Sequence, residues 1–120
     1  MDTNEFKKAE GSCIISEEVI ASIACTAAEE VAGVAGMANR PADLRGIIAT
    51  SAAARSVRVE NNENGTSLDV YVKLCQGARI QETATQVQQG VKVAVQSMTG
   101  RPVIRVNVHV EGILGEEAEA

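Results

Sequence analysis

The chain has 120 residues, 45% of them apolar, with one Tyr, one Phe and no Trp. This length favours a single domain with a core of aliphatic side chains. A net charge of −5 argues against the basic surface that binds nucleic acid without sequence preference. No stretch approaches about 18 consecutive apolar residues, so we expect no membrane span, and residues 1–10 lack the apolar run of a signal peptide.

The number and spacing of the cysteines indicate whether the protein is in a reducing or an oxidising compartment. Cys13, Cys25 and Cys75 are odd in number and form no Cys-x-x-Cys pair, unlike a disulfide scaffold or a zinc site. We therefore expect reduced, structurally independent thiols in a cytoplasmic protein, with no metal and no cofactor.

The N-terminal half predicts a short strand at residues 12–15 followed by an amphipathic helix from Glu17 to about Val31, with Ser16 as its N-cap. After this helix Gly33 and Gly36 predict a turn. Residues 39–55 predict a loop that can contain a short helix. The apolar sector of the helix contains Val19, Ile20, Ile23, Ala24, Ala27 and Val31.

The C-terminal half predicts a β-hairpin, a second helix and a last strand. Apolar residues alternate at 57–59 and 68–74 around the turn residues 61–65, and again at 104–110. Gly100 should end the second helix in a left-handed conformation, just before Pro102. The apolar face of this helix contains Ile80, Ala84, Val87, Val91, Ala94, Val95 and Met98.

The predicted order is therefore β-α-β-β-α-β. Each strand has one apolar and one polar face, which favours a two-layer α+β domain: a mostly antiparallel sheet with two amphipathic helices on one face. We expect this domain at residues 11–113, a flexible N-terminal tail at 1–10 and an acidic, disordered tail at 114–120.

The sequence does not favour catalysis. His109 is the one histidine and lies in the polar phase of the last strand, as an ordinary solvated residue would. Cys25 has no Lys, Arg or His close in sequence to make it a reactive thiolate. The acidic pairs at 17–18 and 29–30 are explained as solvated helix charges. We therefore expect a protein that is not an enzyme.

A small nucleic-acid-binding module is the alternative. Residues 33–36 (GVAG) match the Gly-x-x-Gly loop of one RNA-binding module, and the β-α-β-β-α-β order occurs in another that stacks bases on aromatic residues of its sheet. The predicted sheet offers only Tyr71 for stacking. The acidic pair Glu29 and Glu30 precedes the glycines, where phosphates would favour Lys or Arg. Nucleic-acid binding is therefore the less favoured function.

Several segments together resemble a known family. They are GSCIISEEVI at 11–20, EVAGVAGM at 30–37, VRV at 57–59, MTG at 98–100 and VNVHVEGI at 106–113. In this order they resemble the alkaline-shock protein family of Gram-positive bacteria, over about residues 11–113. The resemblance implies a non-enzymatic cytoplasmic protein linked to cell-envelope stress. It also implies a protein that self-associates and, in some members, is held near the membrane by a separate membrane-anchored partner.

The second helix suggests where such association would occur. With Ile80 at 0° on a helical wheel, the core residues fall between about 320° and 60°, whereas Val93 falls near 220°. The surrounding face is polar but almost uncharged, and it could be an ordinary solvent face with one tolerated valine. Alternatively it contacts another protein, because glutamine loses its hydration more cheaply than an ion does. The candidate interface residues are Gln86, Gln89, Gly90, Val93 and Gln96.

Overall fold

The computed structural model describes residues 14–40 and 52–114. They form an α+β domain in which two long helices cover one face of a four-stranded sheet, which confirms the predicted fold class. The elements are α1 (Glu17–Glu29), β1 (Val34–Met37), α2 (Ala52–Ser56), β2 (Val57–Asn62), β3 (Gly65–Cys75), α3 (Ile80–Thr99) and β4 (Val103–Leu114).

Strand β3 is the centre of the sheet. Along one side it pairs antiparallel with β2, from Asn62 opposite Gly65 to Val57 opposite Val70, and then with β1, where Val34 lies opposite Leu74. On its other side β3 pairs with β4 in parallel over nearly its whole length. The parallel direction follows from the connection, since α3 carries the chain back across the sheet before β4 begins. Two of these three pairings are antiparallel.

The position predicted for the first strand is wrong. Ile14 and Ile15 form no strand, and residues 12 and 13 lie outside the described part of the chain. The first described strand is instead β1, where the sequence predicted a turn. Gly33 has a positive φ of 99° and reverses the chain after α1, and its carbonyl accepts a hydrogen bond of 2.8 Å from Cys75 N. The chain therefore joins the edge of β3 directly.

Three other predictions lie wholly or partly outside the described residues. They concern the tail at 1–10, the acidic tail at 114–120 beyond Leu114, and the loop at 39–55 except for residues 39–40 and 52–55. Within that loop α2 forms a short helix that leads into β2.

The core lies between the sheet and the inner faces of α1 and α3. Strand β3 contributes Leu68, Val70, Val72 and Leu74, and β2 contributes Val57 and Val59, in the predicted alternation. From the helices come Ile20, Ala21, Ala24, Ala27, Ala28, Val87, Val91 and Val95. Three residues that the helical pattern assigned to the core are exposed instead: Val19 (50%), Ile80 (50%) and Met98 (70%). They lie within three residues of a helix end.

Both predicted helix caps are present. Ser16 Oγ accepts a hydrogen bond of 3.2 Å from Val19 N at the start of α1. At the end of α3, Gly100 has a left-handed conformation with φ 74°, and its N–H donates to Gln96 O at 2.9 Å. These caps fix where the two helices begin and end, and therefore which side chains face outward.

Candidate protein interface

The five predicted interface residues divide into two groups in the structure. Gln86, Gln89 and Val93 lie on the outer face of α3, as the helical wheel indicates, and Val93 is 58% exposed. Valine at this exposure leaves most of its apolar surface in water, whereas Val91, two residues earlier, is fully buried. The predicted phase of the helix is therefore right for these three residues.

Gly90 and Gln96 are not part of that outer face, so their predicted placement is corrected. A Cβ at Gly90 would lie 3.9 Å from Ala27 O and from Val31 Cγ2, so this glycine faces α1. The wheel could not show this because it contains no neighbouring helix. Gln96 Oε1 accepts a hydrogen bond of 3.0 Å from Val103 N, so its side chain fixes the turn into β4.

An apolar groove, which Met98 helps to line, runs between α1 and α3. It has a volume of about 430 Å³. We call this groove, together with the exposed side chains of Val19, Val93 and Met98, the helix-layer surface. The residues that line the groove are Ser22, Ile23, Thr26, Ala27, Glu30, Ala94 and Met98.

Sequence reasoning missed most of this surface because Val19 and Met98 share the apolar phase of their helices with core residues. Val19 lies in the first turn of α1 and Met98 in the last turn of α3. The signal that could have distinguished them is this position at the helix ends, where a helix extends past the partner that buries its middle. Periodicity alone assigns the whole apolar stripe to the core.

Acidic residues border the helix-layer surface. Glu30 lines the groove, and Glu17, Glu18 and Glu29 of α1 are all exposed. Their exposure fits the interpretation of both acidic pairs as solvated helix charges, and Glu17 and Glu18 also lie where the helix dipole favours negative charge.

On the opposite face of the sheet, four side chains form a polar cluster. His109 Nε2 lies 3.0 Å from Asp69 Oδ1, and Asn107 Nδ2 donates to the same oxygen at 3.1 Å. The ring of His109 stacks on Tyr71, with centroids 4.3 Å apart and planes inclined by 12°. Burial and the nearby Asp69 raise the pKa of Tyr71 above its usual value. His109 thus lies on the polar face of the last strand, as predicted, where its neighbours in the cluster hold its ring.

Cys25 lies half-buried beside α2, where its thiol is 3.9 Å from Ala53 O. Burial first, and the charge of Glu29 second, raise its pKa to about 11. The thiol is therefore protonated at neutral pH, and the reactive thiolate is scarce. Cys25 and Cys75 are both free thiols, whereas Cys13 lies outside the described residues.

The two features that resembled RNA-binding modules take other roles. Gly33 closes the turn after α1, and Gly36 lies within β1, so residues 33–36 do not form a Gly-x-x-Gly loop. Tyr71, which would be the stacking residue of the sheet, is already stacked on His109.

No group of three or more His, Cys, Asp and Glu side chains within residues 14–40 and 52–114 is arranged to hold a metal ion. No helix in these same ranges is long and apolar enough to span a membrane.

The sequence matches a family with a cell envelope-related function. The model of the alkaline-shock protein 23 family, which is described as having a "cell envelope-related function", matches residues 5–114. The chain therefore belongs to this family, which confirms the resemblance seen in the sequence.

Curated relatives support this membership over most of the chain. The uncharacterized protein YloU of Bacillus subtilis is 33% identical over 112 residues, which cover 91% of this chain and 93% of YloU. The uncharacterized protein Spy1614 of Streptococcus pyogenes serotype M6 is 31% identical over 114 residues, which cover 92% and 94%.

Among solved structures, MamM-CTD 215-293 matches with a TM-score of 0.50 at 18% identity. The match covers 81% of this chain and 99% of that one. At this identity the likeness extends to the fold alone.

Proposed function

We propose that this member of the alkaline-shock protein family is a non-enzymatic assembly protein of the cell envelope, which works by associating with copies of itself. The observation that carries this proposal is the helix-layer surface. Val19, Val93 and Met98 expose half or more of their surface, and Met98 also lines the apolar groove between α1 and α3. An apolar groove with large exposed apolar side chains on the two helices that form it is typical of a protein contact.

The composition of α3 supports association at this surface. Around Val93 the exposed side chains of Gln86 and Gln89 are polar but uncharged. Burying them against another subunit costs less than burying ions, provided that their amides find hydrogen-bond partners. Lys92 is the one charged residue of α3 after its first turn, and the wheel places it about 100° from Val93.

Two observations support a role without catalysis. The thiol of Cys25 is protonated at neutral pH, which makes it a poor nucleophile. The imidazole of His109 is hydrogen-bonded to Asp69 and stacked on Tyr71. Within residues 14–40 and 52–114 no Ser hydroxyl or Cys thiol forms a hydrogen bond with it. This polar cluster fits the exposed face of a sheet.

Val93→Glu tests the proposal. We expect sedimentation velocity of the purified full chain to show concentration-dependent assembly, and the substitution to shift it toward smaller species without changing circular dichroism. Gln81→Glu is the matched control, because it adds a carboxylate to an exposed site in the first turn of the same helix. Wild-type protein that stays monomeric at all accessible concentrations would contradict the proposal.

The same sample distinguishes the alternative function. Assembly in a preparation without excess absorbance at 260 nm supports a protein–protein role. Nucleic acid that co-purifies and is released by salt would instead favour a nucleic-acid-binding module.

We further propose that the protein is cytoplasmic and is held near the membrane by a separate anchored protein. This part rests on the envelope-related function of the family. The test is fractionation of native cells: the chain should sediment with membranes and should be released by detergent. Recovery of the wild type only in the unsedimented fraction would contradict the proposal.

A further inference from the structure

The outer edge of β4 is the longest unpaired strand edge of the described chain. β4 has 12 residues and pairs with β3 on one side, and within residues 14–40 and 52–114 no strand pairs with its other side. An edge of this length presents a row of backbone donors and acceptors to which another strand can bind.

The hydrogen bonds of β3 show which backbone groups of β4 point outward. Tyr71 O and Cys75 N form hydrogen bonds on the β1 side of β3, whereas Thr66 N donates to Pro102 O, just before β4. The backbone N–H and C=O groups of the even-numbered residues of β3 therefore point toward β4. The register then directs the N–H and C=O groups of Val106, Val108 and Val110 away from β3. In agreement with this, Val106 O accepts a hydrogen bond of 3.2 Å from Gln88 Nε2 of α3 at the edge.

The charges on β4 match a second copy of the same strand. Arg105 and Glu111 are exposed and lie three residues before and after Val108, and Glu111 is the extra residue where the β3–β4 register shifts between Val110 and Gly112. If two β4 strands pair antiparallel about a twofold axis at Val108, Arg105 lies opposite the partner's Glu111 in both halves of the interface. Within the described residues neither side chain forms an ion pair in the monomer.

Other residues fit the same register. Val106 lies opposite Val110 of the partner subunit, and every outward N–H and C=O of the three valines obtains a backbone partner. Val106 O can keep its bond to Gln88, since a carbonyl oxygen has two lone pairs. A different axis does not pair opposite charges. With the twofold axis at residue 107, Arg105 lies opposite the partner's His109, and with the axis at residue 109 it lies opposite the partner's Ile113.

We propose that two copies of the chain join edge to edge through antiparallel pairing of their β4 strands, with Val108 on the twofold axis and Arg105 opposite Glu111 of the partner subunit. This inference rests on the proposed self-association and gives it a second, separate contact, since the β4 edge and the helix-layer surface involve different residues.

The test is a charge-reversal cycle on the full-length chain, measured by sedimentation velocity at low ionic strength. Arg105→Glu and Glu111→Arg each create two like-charge pairs across the axis, and we expect each to weaken the edge-to-edge association about tenfold. The double variant restores opposite charges in the same register, so its association should return to the wild-type level. Arg58→Glu, on the exposed face of β2 beyond β3, is the matched control and should have no effect.

A cysteine placed on the proposed axis tests the register separately. In a hydrogen-bonded antiparallel pair the Cα atoms are about 5.5 Å apart, within the range of a disulfide. Val108→Cys should therefore form a 108-to-108 disulfide on mild oxidation, identified by mass spectrometry. Ser97→Cys on the exposed side of α3 should not form the corresponding bridge.

The possible outcomes separate the two proposals. A monomeric wild type overturns both self-association and the β4 contact. Assembly that responds to Val93→Glu but not to Arg105→Glu or Glu111→Arg leaves self-association standing and overturns the β4 contact. Failure of the double variant to recover, with circular dichroism unchanged, overturns the register, as does an assembled Val108→Cys protein without the bridge.

Discussion

The inner and outer surfaces of the helix layer use the same small aliphatic side chains in opposite ways. On the inner surface Val87, Val91 and Val95 are fully buried against the sheet. By contrast Val93, on the outward side of α3, and Val19 and Met98, near the helix ends, are at least half exposed, and the apolar groove lies between α1 and α3.

This difference separates the side chains that stabilise the folded monomer from those that contribute little to its stability. The inner valines replace water with close-packed neighbours, so they stabilise the monomer. The outer side chains gain little in the monomer, because most of their surface stays in water. Their apolar character is explained if a second protein molecule covers them.

The largest loss of stability should come from Gly65→Ala, which disrupts the packed interior at the hairpin end of the sheet. Gly65 has φ 144°, and a Cβ there would lie 2.5 Å from Pro102 O, the atom that accepts the bond from Thr66 N. Because a backbone atom cannot move aside without breaking that bond, we expect a loss of about 3 kcal/mol in urea unfolding.

The control for this substitution is Gly36→Ala. Gly36 has no positive φ, and among residues 14–40 and 52–114 no atom beyond its two chain neighbours lies within 4 Å of its Cβ position. Its unfolding midpoint should stay close to that of the wild type. An equal loss in both variants would mean that the cost comes from alanine in a strand and not from the contact with Pro102.

A matched pair on α3 compares the two surfaces directly. Val91→Ala removes two methyl groups from a fully buried site, and we expect it to lower the free energy of unfolding by about 2 kcal/mol. Val93→Ala is the same change on the exposed side and should cost less than about 0.5 kcal/mol. Both values come from chemical denaturation at a concentration where the protein is monomeric. Similar losses at the two sites would contradict the distinction between the surfaces.

Gly100→Val should have a smaller effect, at the end of the helix that carries both surfaces. Gly100 has φ 74°, and in the described part of the chain its Cβ position meets no atom within 4 Å beyond its neighbours in sequence, so the cost is conformational. We expect a loss of about 1 kcal/mol or slightly more, since a β-branched residue resists positive φ. Gly100→Asn should lose less, because asparagine tolerates the left-handed region. A urea midpoint unchanged by Gly100→Val would contradict this account.

The sequence predicts the interior well because burial there is periodic. The alternation at 68–74 and the stripe of α3 follow directly from the packing of one face of each element. The same periodicity failed at β1, where four residues containing a glycine have no buried face to reveal. Their strand exists because the turn at Gly33 places them against β3, which is a tertiary effect.

The candidate interface was predictable only in part. The helical wheel placed Gln86, Gln89 and Val93 correctly, since these positions depend on one helix alone. It could not place Gly90 or the groove, because both depend on how α1 lies against α3. The outward valines of β4 required the register with β3, which no local pattern contains.

Cys25 is half-buried, between the core and the surface, and the pKa of its thiol measures how strongly burial disfavours the thiolate at this position. Its pKa in the folded protein is raised from 9.0 to about 11. A raised folded pKa means that the protonated thiol contributes stability below pH 9, and that this contribution is lost as the pH rises through about 11. Cys25→Ala should therefore lose less stability than wild type between pH 9 and pH 11, measured by urea unfolding at each pH.

The smallest expected effect is that of Glu29 on the same thiol. The charge of Glu29 raises the pKa of Cys25, but less than burial does. Glu29→Gln removes this charge and keeps the shape, so the thiolate fraction at pH 9 should rise and alkylation of Cys25 by iodoacetamide should become modestly faster. Mass spectrometry measures the rate, in a Cys13→Ser background so that the N-terminal peptide contains one thiol. Glu18→Gln, at the far end of α1, is the control and should leave the rate unchanged. Equal rates for Glu29→Gln and wild type would mean that burial alone sets the pKa. The thiol of Cys25 would then behave as a core residue does, although Cys25 is only half-buried.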